Sequence, residues 1–320
     1  MTVSADLSPL GILKLRAWLL RSIRRFFEVR DFIEVETPAV VPSPGLDLHL
    51  SAFEVNDPRG TRVGWLATSP EYQMKRLLVA GAERIFQLSK SYRAEERGAL
   101  HEREFTMLEW YRAHATSEDV MRDTEELVEH LATTLLKKGG SPLLHGVKAT
   151  GARGRSPFSP PWPRRTVKSV LRQYASVELD TLTGDDEAFF RIWVDQVQPR
   201  LGSDGPVFVT DWPASMASLA KLKPNGMADR FEAFLQGIEL CNGFGELTEA
   251  GEQRRRFERD QADRRATDKP VYPIDERFVE ALASGMPDSG GNALGIDRLL
   301  MLLVNADSIQ AVMPFPEERL

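Results

Sequence analysis

Residues 84–95 and 104–114 read as the two antiparallel strands of one long hairpin, and its turn region, SYRAEERGALHEREFTMLEWY at residues 91–111, is crowded with polar and aromatic side chains. Side chains two apart on a strand point to the same face. Arg93 and Glu95 share the parity of the first strand, and Phe105, Glu109 and Tyr111 share that of the second. With His101 in the loop between them, one surface then offers a guanidinium, several carboxylates and an aromatic wall. Such a surface suits a ligand that carries phosphates, a flat base and an amine. It points to chemistry on a nucleotide and an amino compound.

A second hairpin is legible in RFEAFLQGIELCNGFGELTEA, residues 230–250, turning at Gln236-Gly237. That turn sets Leu235 against Ile238 and Phe234 against Glu239, and directly opposed residues share a face. Glu232, Phe234 and Glu239 therefore lie together, which pairs two carboxylates from different strands. A helix is predicted over 8–30, with Leu15, Leu19, Ile23 and Phe26-Phe27 as its apolar stripe and Arg16, Arg21, Arg24 and Arg25 facing water. Residues 32–36, 46–55 and 61–68 read as strands, and Thr68-Ser69-Pro70-Glu71 opens a helix over 71–79. Further helices are expected at 117–138, 163–176 (after a strand end), 184–200, 249–267 and 275–284, with a buried strand at 207–210. Residues 139–156, rich in Gly, Ser, Pro and basic residues, are expected to be a mobile loop. The chain ends on a glycine-rich strand, 290–297, feeding a helix at 298–304. Strands and helices mix without regular βαβ alternation, so the expected fold class is α+β, an antiparallel sheet flanked by helices in a single domain over 1–320.

Composition narrows the function classes. No apolar run approaches the roughly 20 residues that span a bilayer, and the N-terminus lacks the basic segment of a secretory signal. The one cysteine, Cys241, excludes an intrachain disulfide framework and fits the reducing cytoplasm. The 5 histidines have no zinc-ligand spacing. A net charge of −6 gives no support for broad nucleic-acid binding. Arg254–Arg256 and Arg264-Arg265, interleaved with acids, read as a solvated helix face.

Three segments together resemble the signature motifs of class II aminoacyl-tRNA synthetases. FIEVETP at 32–38 closes a segment (12–38) similar to motif 1; residues 84–111 are similar to motif 2; and residues 290–304, with Ala293-Leu294-Gly295-Ile296-Asp297-Arg298, are similar to motif 3. GIELCNGFGEL at 237–247 resembles the lysyl branch in particular. That branch carries an N-terminal OB-fold anticodon-binding domain, whereas motif 1 is reached here by residue 38, so the expectation is a catalytic core without that domain. The branch also has glycine where this chain has Ala293, and alanine where it has Ser69. The combination resembles the short lysyl-synthetase paralogues, which attach (R)-β-lysine to a lysine side chain of translation elongation factor P.

The resemblance implies an ATP- and Mg²⁺-dependent ligase that forms an aminoacyl-adenylate. It implies that Arg93 bridges the α-phosphate and the amino-acid carboxylate, Glu95 reads the adenine amino group, and Phe105 stacks on the ring opposite Arg298. His101 and Glu102 fold over the triphosphate, although Glu102-Arg103 stands where the family has Asn-Pro; Leu240 and Gly295 border the nucleotide. Glu232 and Glu239 hold Mg²⁺, as hard oxygen donors suit it. Glu246 and Tyr111 take the side-chain ammonium, Glu71 and Glu109 the other amine, and Asn242 the carboxylate, with Ser69 and Ala293 shaping the pocket. It implies a homodimer through motif 1, elongation factor P as acceptor and no stable tRNA binding. The alternatives are a minimal synthetase charging tRNA and a non-catalytic synthetase-like regulator, which should have lost Arg93, Glu239 or Arg298.

Overall fold

The computed structural model describes residues 8–137 and 158–320, and the loop expected at 139–156 lies outside them. Eight strands form one sheet in the order β1 (Ile33–Glu34), β5 (Arg84–Tyr92), β6 (Glu104–Ala113), β11 (Ser289–Gly295), β10 (Ile238–Gly245), β9 (Ala228–Leu235), β8 (Val207–Trp212), β7 (Arg164–Thr166). The six central strands are antiparallel, as expected. Both edge strands are instead parallel to their neighbours, β1 to β5 and β7 to β8. A small sheet of β2 (Val40–Val41), β4 (Arg62–Leu66) and β3 (Glu54–Asn56) stands beside it.

One face of the large sheet is covered by α1 (Pro9–Glu28), α3 (Ser117–Lys137) and α8 (Ile296–Val304). Ser8 caps α1 by accepting from the Gly11 N–H at 3.2 Å, and Pro9 stands in its first turn. Its stripe of Trp18, Leu19, Ile23, Phe26 and Phe27 is buried, and Phe27 stacks on Phe86 of β5 with centroids 4.8 Å apart. Arg16 does not face water: its guanidinium donates to Asp297 at 2.5 Å and to Thr106 at 3.1 Å, tying α1 to the start of α8. On the opposite face a second core gathers Ile85, Phe234 and Phe244 of the sheet with α2 (Glu71–Val79), α4 (Val167–Ala175) and α7 (Glu276–Ala283). The pocket opens on this face.

Three expectations are corrected. Residues 46–53 are not strand: Asp47 accepts from the His49 N–H and the chain turns there, with Leu50 N–H donating to the Asp47 carbonyl. The freed carbonyls are taken by α6 (Ala250–Ala266), whose Arg264 donates to Asp47 and Leu50 at 2.6 and 3.0 Å. This helix is therefore not merely a solvated face, since Arg264 is fully buried and Arg256, 5% exposed, donates to the Ser218 and Ala220 carbonyls. The helix expected at 184–200 is α5 (Asp186–Ile192) followed by a wide i→i+5 turn over Trp193–Val197 and a 3₁₀ turn over Gln198–Arg200. Pro199 has no N–H to donate and its ring clashes with the preceding turn, so the regular helix cannot run through it.

Candidate active site

The strand registers place the pocket residues in rows across the sheet. One row runs Gln87, Glu109, Ala293, Asn242, Glu232 over β5, β6, β11, β10 and β9. The next runs Ile85, Tyr111, Gly291, Phe244, Arg230. The β9–β10 turn forms at Gln236-Gly237, both with positive φ (53° and 76°), and pairs Phe234 with Glu239. A bulge between Glu239 and Cys241 then changes the count, so that Asn242 rather than Cys241 stands opposite Glu232. The bulge is what lets Glu239 and Asn242, an odd number of residues apart, share the pocket face with Glu232. It also turns both Leu240 and Cys241 into the core beneath. The Leu240 side chain, 1% exposed, lies on the face opposite the pocket, which leaves its backbone alone to border a nucleotide.

Arg93 lies just past β5, with its guanidinium 5.1 Å from the centroid of the Phe105 ring and paired to Glu96 at 3.0 Å. Glu95 does not share its face. The strand ends at Tyr92, and the turn that follows leaves the Glu95 carboxylate exposed while Glu96 comes to Arg93. Arg298, in the first turn of α8, donates to the carbonyls of Leu100 (3.2 Å) and Glu239 (3.3 Å) and meets His101 Nε2 at 2.6 Å. Burial and the adjacent Arg298 charge lower the His101 pKa, which favours a neutral ring accepting from the arginine. Glu102 is corrected as well: its carboxylate accepts from Gln310 Nε2 at 2.9 Å and from the Glu317 N–H at 3.4 Å, so it fastens the loop to the C-terminal segment. Gly295 is spacious; a Cβ there would meet only the Arg298 side chain, at 3.8 Å.

Glu232 and Glu239 are close enough that each carboxylate senses the other. Burial, opposed by Arg230 and reinforced by Glu239, raises Glu232 to about 7. Arg230 holds one Glu232 oxygen, and Glu239 is 3.7 Å from Arg298. Two hard oxygen donors, one buried and one partly exposed, fit a Mg²⁺ whose remaining ligands come from phosphates and water. Among the described residues there is no cluster of three or more metal-ligating side chains, which is the pattern of a metal held by protein alone.

The other end of the pocket is dry and dense in charge. Glu109 is fully buried and accepts from the Ser69 hydroxyl at 2.6 Å and from the Tyr111 hydroxyl at 2.8 Å. Burial and the nearby Glu71 raise it to about 7. Glu246, also fully buried, is raised to about 8 by burial despite the ion pair it makes with Lys75 at 2.5 Å. Both Glu246 oxygens and Asn242 Oδ1 are buried with no well-aligned hydrogen bond among the described residues; Oε2 meets Lys75 as an ion pair, and Oε1 has no such partner. Room for the Glu246 carboxylate and the Tyr111 ring depends on Gly291, where a Cβ would sit 2.2 Å from Glu246 Oε1 and 2.3 Å from Tyr111 Cε1. Ala293 stands directly between Glu109 and Asn242 in the row. The structure thus brings together Ser69, Glu71, Glu109, Tyr111, Glu246, Asn242 and Ala293 at one end, and Arg93, His101, Phe105, Glu232, Glu239 and Arg298 at the other.

Four participants were missed by sequence reasoning: Lys75, Arg230, Glu96 and Gly291. Lys75 had a readable signal, because it follows Glu71 by four residues and lies with Tyr72 and Leu78 on the buried stripe of α2. Arg230 could have been found by its i, i+2 parity with Glu232. Residues 8–319 match the family described as tRNA synthetases class II (D, K and N). The chain belongs to that family. It is also similar to the elongation factor P (R)-β-lysine ligase of Sodalis glossinidius (strain morsitans), 41% identical over 321 residues covering 98% of this chain and 97% of that protein. Among the described residues no helix is long and apolar enough to cross a membrane.

Proposed function

We propose that this class II synthetase relative activates (R)-β-lysine with ATP and transfers it to a lysine side chain of elongation factor P. The carrying observation is the shared face of the sheet: a buried pocket with Glu71, Glu109, Glu246 and Tyr111 at one end opens toward Arg93, Phe105 and Arg298 at the other. A substrate with two ammonium groups placed in the acidic end directs its carboxylate toward Arg93. The carboxylate oxygen attacks the α-phosphorus of ATP, the bond to the β-phosphate oxygen breaks, and pyrophosphate leaves. The chain's task in this step is alignment and charge stabilisation rather than covalent catalysis. Arg93 suits both anions because its fork of donors can hold two oxygens at once. Phe105 offers a stacking surface for the base, and Arg298 covers it from α8. Glu232 and Glu239 would hold Mg²⁺, which neutralises phosphate charge when bound.

In the second step a neutral lysine amine of the acceptor attacks the adenylate carbonyl, AMP leaves, and the amine proton is lost to solvent. The relative named for the same reaction on elongation factor P supports this acceptor, and a translation factor as acceptor supports a cytoplasmic reaction. We read the chain as one catalytic domain that works as a homodimer through its motif 1 region, where Leu13 and Ile33 are 51 and 60% exposed. Pyrophosphate exchange with (R)-β-lysine and with α-lysine, followed by acceptor assays with elongation factor P and with tRNA, tests the reading. The expected result is exchange driven best by (R)-β-lysine and label on the factor. Label on tRNA alone, or no exchange with either amino acid, would overturn it.

A further inference from the structure

Lys75 is the least expected residue of the pocket. Its ammonium is 1% exposed, 2.6 Å from Glu71 Oε1 and 2.5 Å from Glu246 Oε2, and 6.0 Å from the centroid of the Phe244 ring. A buried ammonium survives only where carboxylates surround it. Here Glu71 is presented by the same helix one turn earlier, and Glu246 arrives from the end of β10. Glu109 and the Tyr111 hydroxyl complete the set from β6, and each of these groups feels the charge of the others. The acidic end therefore holds three carboxylates and one fixed cation.

We infer that Lys75 is a specificity-determining positioning residue: a permanent counter-ion that leaves this end of the pocket at minus two once its three carboxylates are ionised, a charge that a ligand bringing two ammonium groups neutralises. The inference rests on the proposed diamino-acid substrate. The arithmetic is three carboxylates, Glu71, Glu109 and Glu246, against one lysine ammonium. Lys75 pairs with both Glu71 and Glu246, the latter through Oε2, and Glu246 Oε1 has neither an ion-pair nor a hydrogen-bond partner among the described residues. That oxygen, held in the space Gly291 provides, is the free acceptor for the substrate's side-chain ammonium. A monoamino acid of the same length would leave one buried carboxylate uncompensated and would have to bind together with a proton.

The test is amino-acid-dependent pyrophosphate exchange by the full chain, with (R)-β-lysine, α-lysine and norleucine, the last having the same carbon count but no side-chain ammonium. Lys75→Met should raise the KM for the diamino acid at least tenfold with kcat changed by less than about threefold. The loss should shrink as pH falls, because one carboxylate then takes up a proton in place of the missing ammonium, which a purely structural lysine would not predict. An unchanged or lowered KM in Lys75→Met overturns the inference, the lowered value because it would make Lys75 a competitor of the substrate. A loss that is the same at every pH overturns it too. If thermal unfolding shows that Lys75→Met does not fold, Lys75→Arg decides: it keeps the charge and should keep the preference for diamino acid over norleucine within about threefold, and loss of that preference counts against the inference. Failure of the unaltered enzyme to exchange with any amino acid would sink the proposed activity instead, and is distinguishable because no variant is needed to see it.

Discussion

The two ends of the pocket solve opposite electrostatic problems. At the nucleotide end the charged groups stay partly wet: the side chains of Arg93, Arg298 and Glu239 are 22, 21 and 35% exposed. At the amino-acid end Lys75 and Glu246 are 1 and 0% exposed. Ion pairs in contact with water are worth about 0–1 kcal/mol, so Arg93 and Arg298 can exchange Glu96 and His101 for phosphates at little cost. Removing one partner of a buried pair costs about 3–5 kcal/mol, so Lys75 and its partners are fixed in place before any ligand arrives, while the charge of Glu109 and Glu246 follows the pH. The difference teaches that the wet end can adapt to a triphosphate, while the dry end can discriminate between amines.

The largest expected effect breaks the wet end. Arg93→Ala removes the group placed to stabilise charge at the α-phosphate, and pyrophosphate exchange should fall by about 10²–10³-fold. Thermal unfolding should hardly move, because the partly exposed Glu96 pair adds little to the fold. A variant that keeps a tenth of the activity would remove Arg93 from the chemistry. The matching lesion at the dry end is Gly291→Ala. Its Cβ would collide with Glu246 and Tyr111, and overpacking of this kind costs about 1–3 kcal/mol. The amino-acid KM should rise by about 10–100-fold while the ATP KM stays nearly constant; equal losses for both substrates would mean that the two ends are not separable.

A titration sharpens the same contrast. In the free pocket burial raises Glu246 to about 8 and Glu109 to about 7, and binding ammonium groups favours their charged forms. A group whose pKa falls on binding releases its proton, so affinity is full above the free pKa and is lost as pH drops below it. The amino-acid KM should therefore rise as pH falls from about 8.5 to 6.5, by up to about tenfold per unit for each group that must deprotonate. The ATP KM should change less over the same range. A flat amino-acid KM would mean that these carboxylates are not what the substrate neutralises. Ser69→Ala should have a smaller effect: it deletes one donor to Glu109, worth about 0.5–1.5 kcal/mol, or roughly 2–12-fold in amino-acid KM.

The contrast also explains what could be read in advance. Strand parity placed Phe105, Glu109 and Tyr111 on one face, and the Gln236-Gly237 turn fixed the start of the β9–β10 register, because both depend on local periodicity alone. The same parity failed at Glu95, where the strand had already ended, and could not foresee the bulge that sends Leu240 into the core. Both failures arise where backbone hydrogen bonding changes by a single residue. Lys75 escaped notice because a lysine on an apolar stripe makes sense only once Glu246 arrives from a strand far along the chain. Arg264 and Arg256 escaped for a related reason: apart from the Glu252 carboxylate that Arg256 meets at 2.9 Å, their partners are backbone carbonyls, which have no signature in the sequence.

The smallest effect belongs to a residue first expected at the wet end. Both oxygens of the Glu102 carboxylate face the C-terminal segment, toward Gln310 and the Glu317 N–H, while Arg97 and Arg103 converge on the Glu317 carboxylate at 2.6 and 3.5 Å. Ile309 adds a backbone bond to Ala99 at 2.9 Å. The loop that carries His101 toward Arg298 is therefore held from outside the pocket by several bonds, of which Glu102 supplies two. Glu102→Gln keeps an oxygen for Gln310 and a comparable shape, so it should change the ATP KM by less than about threefold and stability by less than about 1.5 kcal/mol. An ATP KM raised as far as in Arg298→Ala would return Glu102 to the nucleotide site. A small change would assign it to the strap that holds the loop, and would confine the nucleotide contacts of this loop to Arg93, His101 and Phe105.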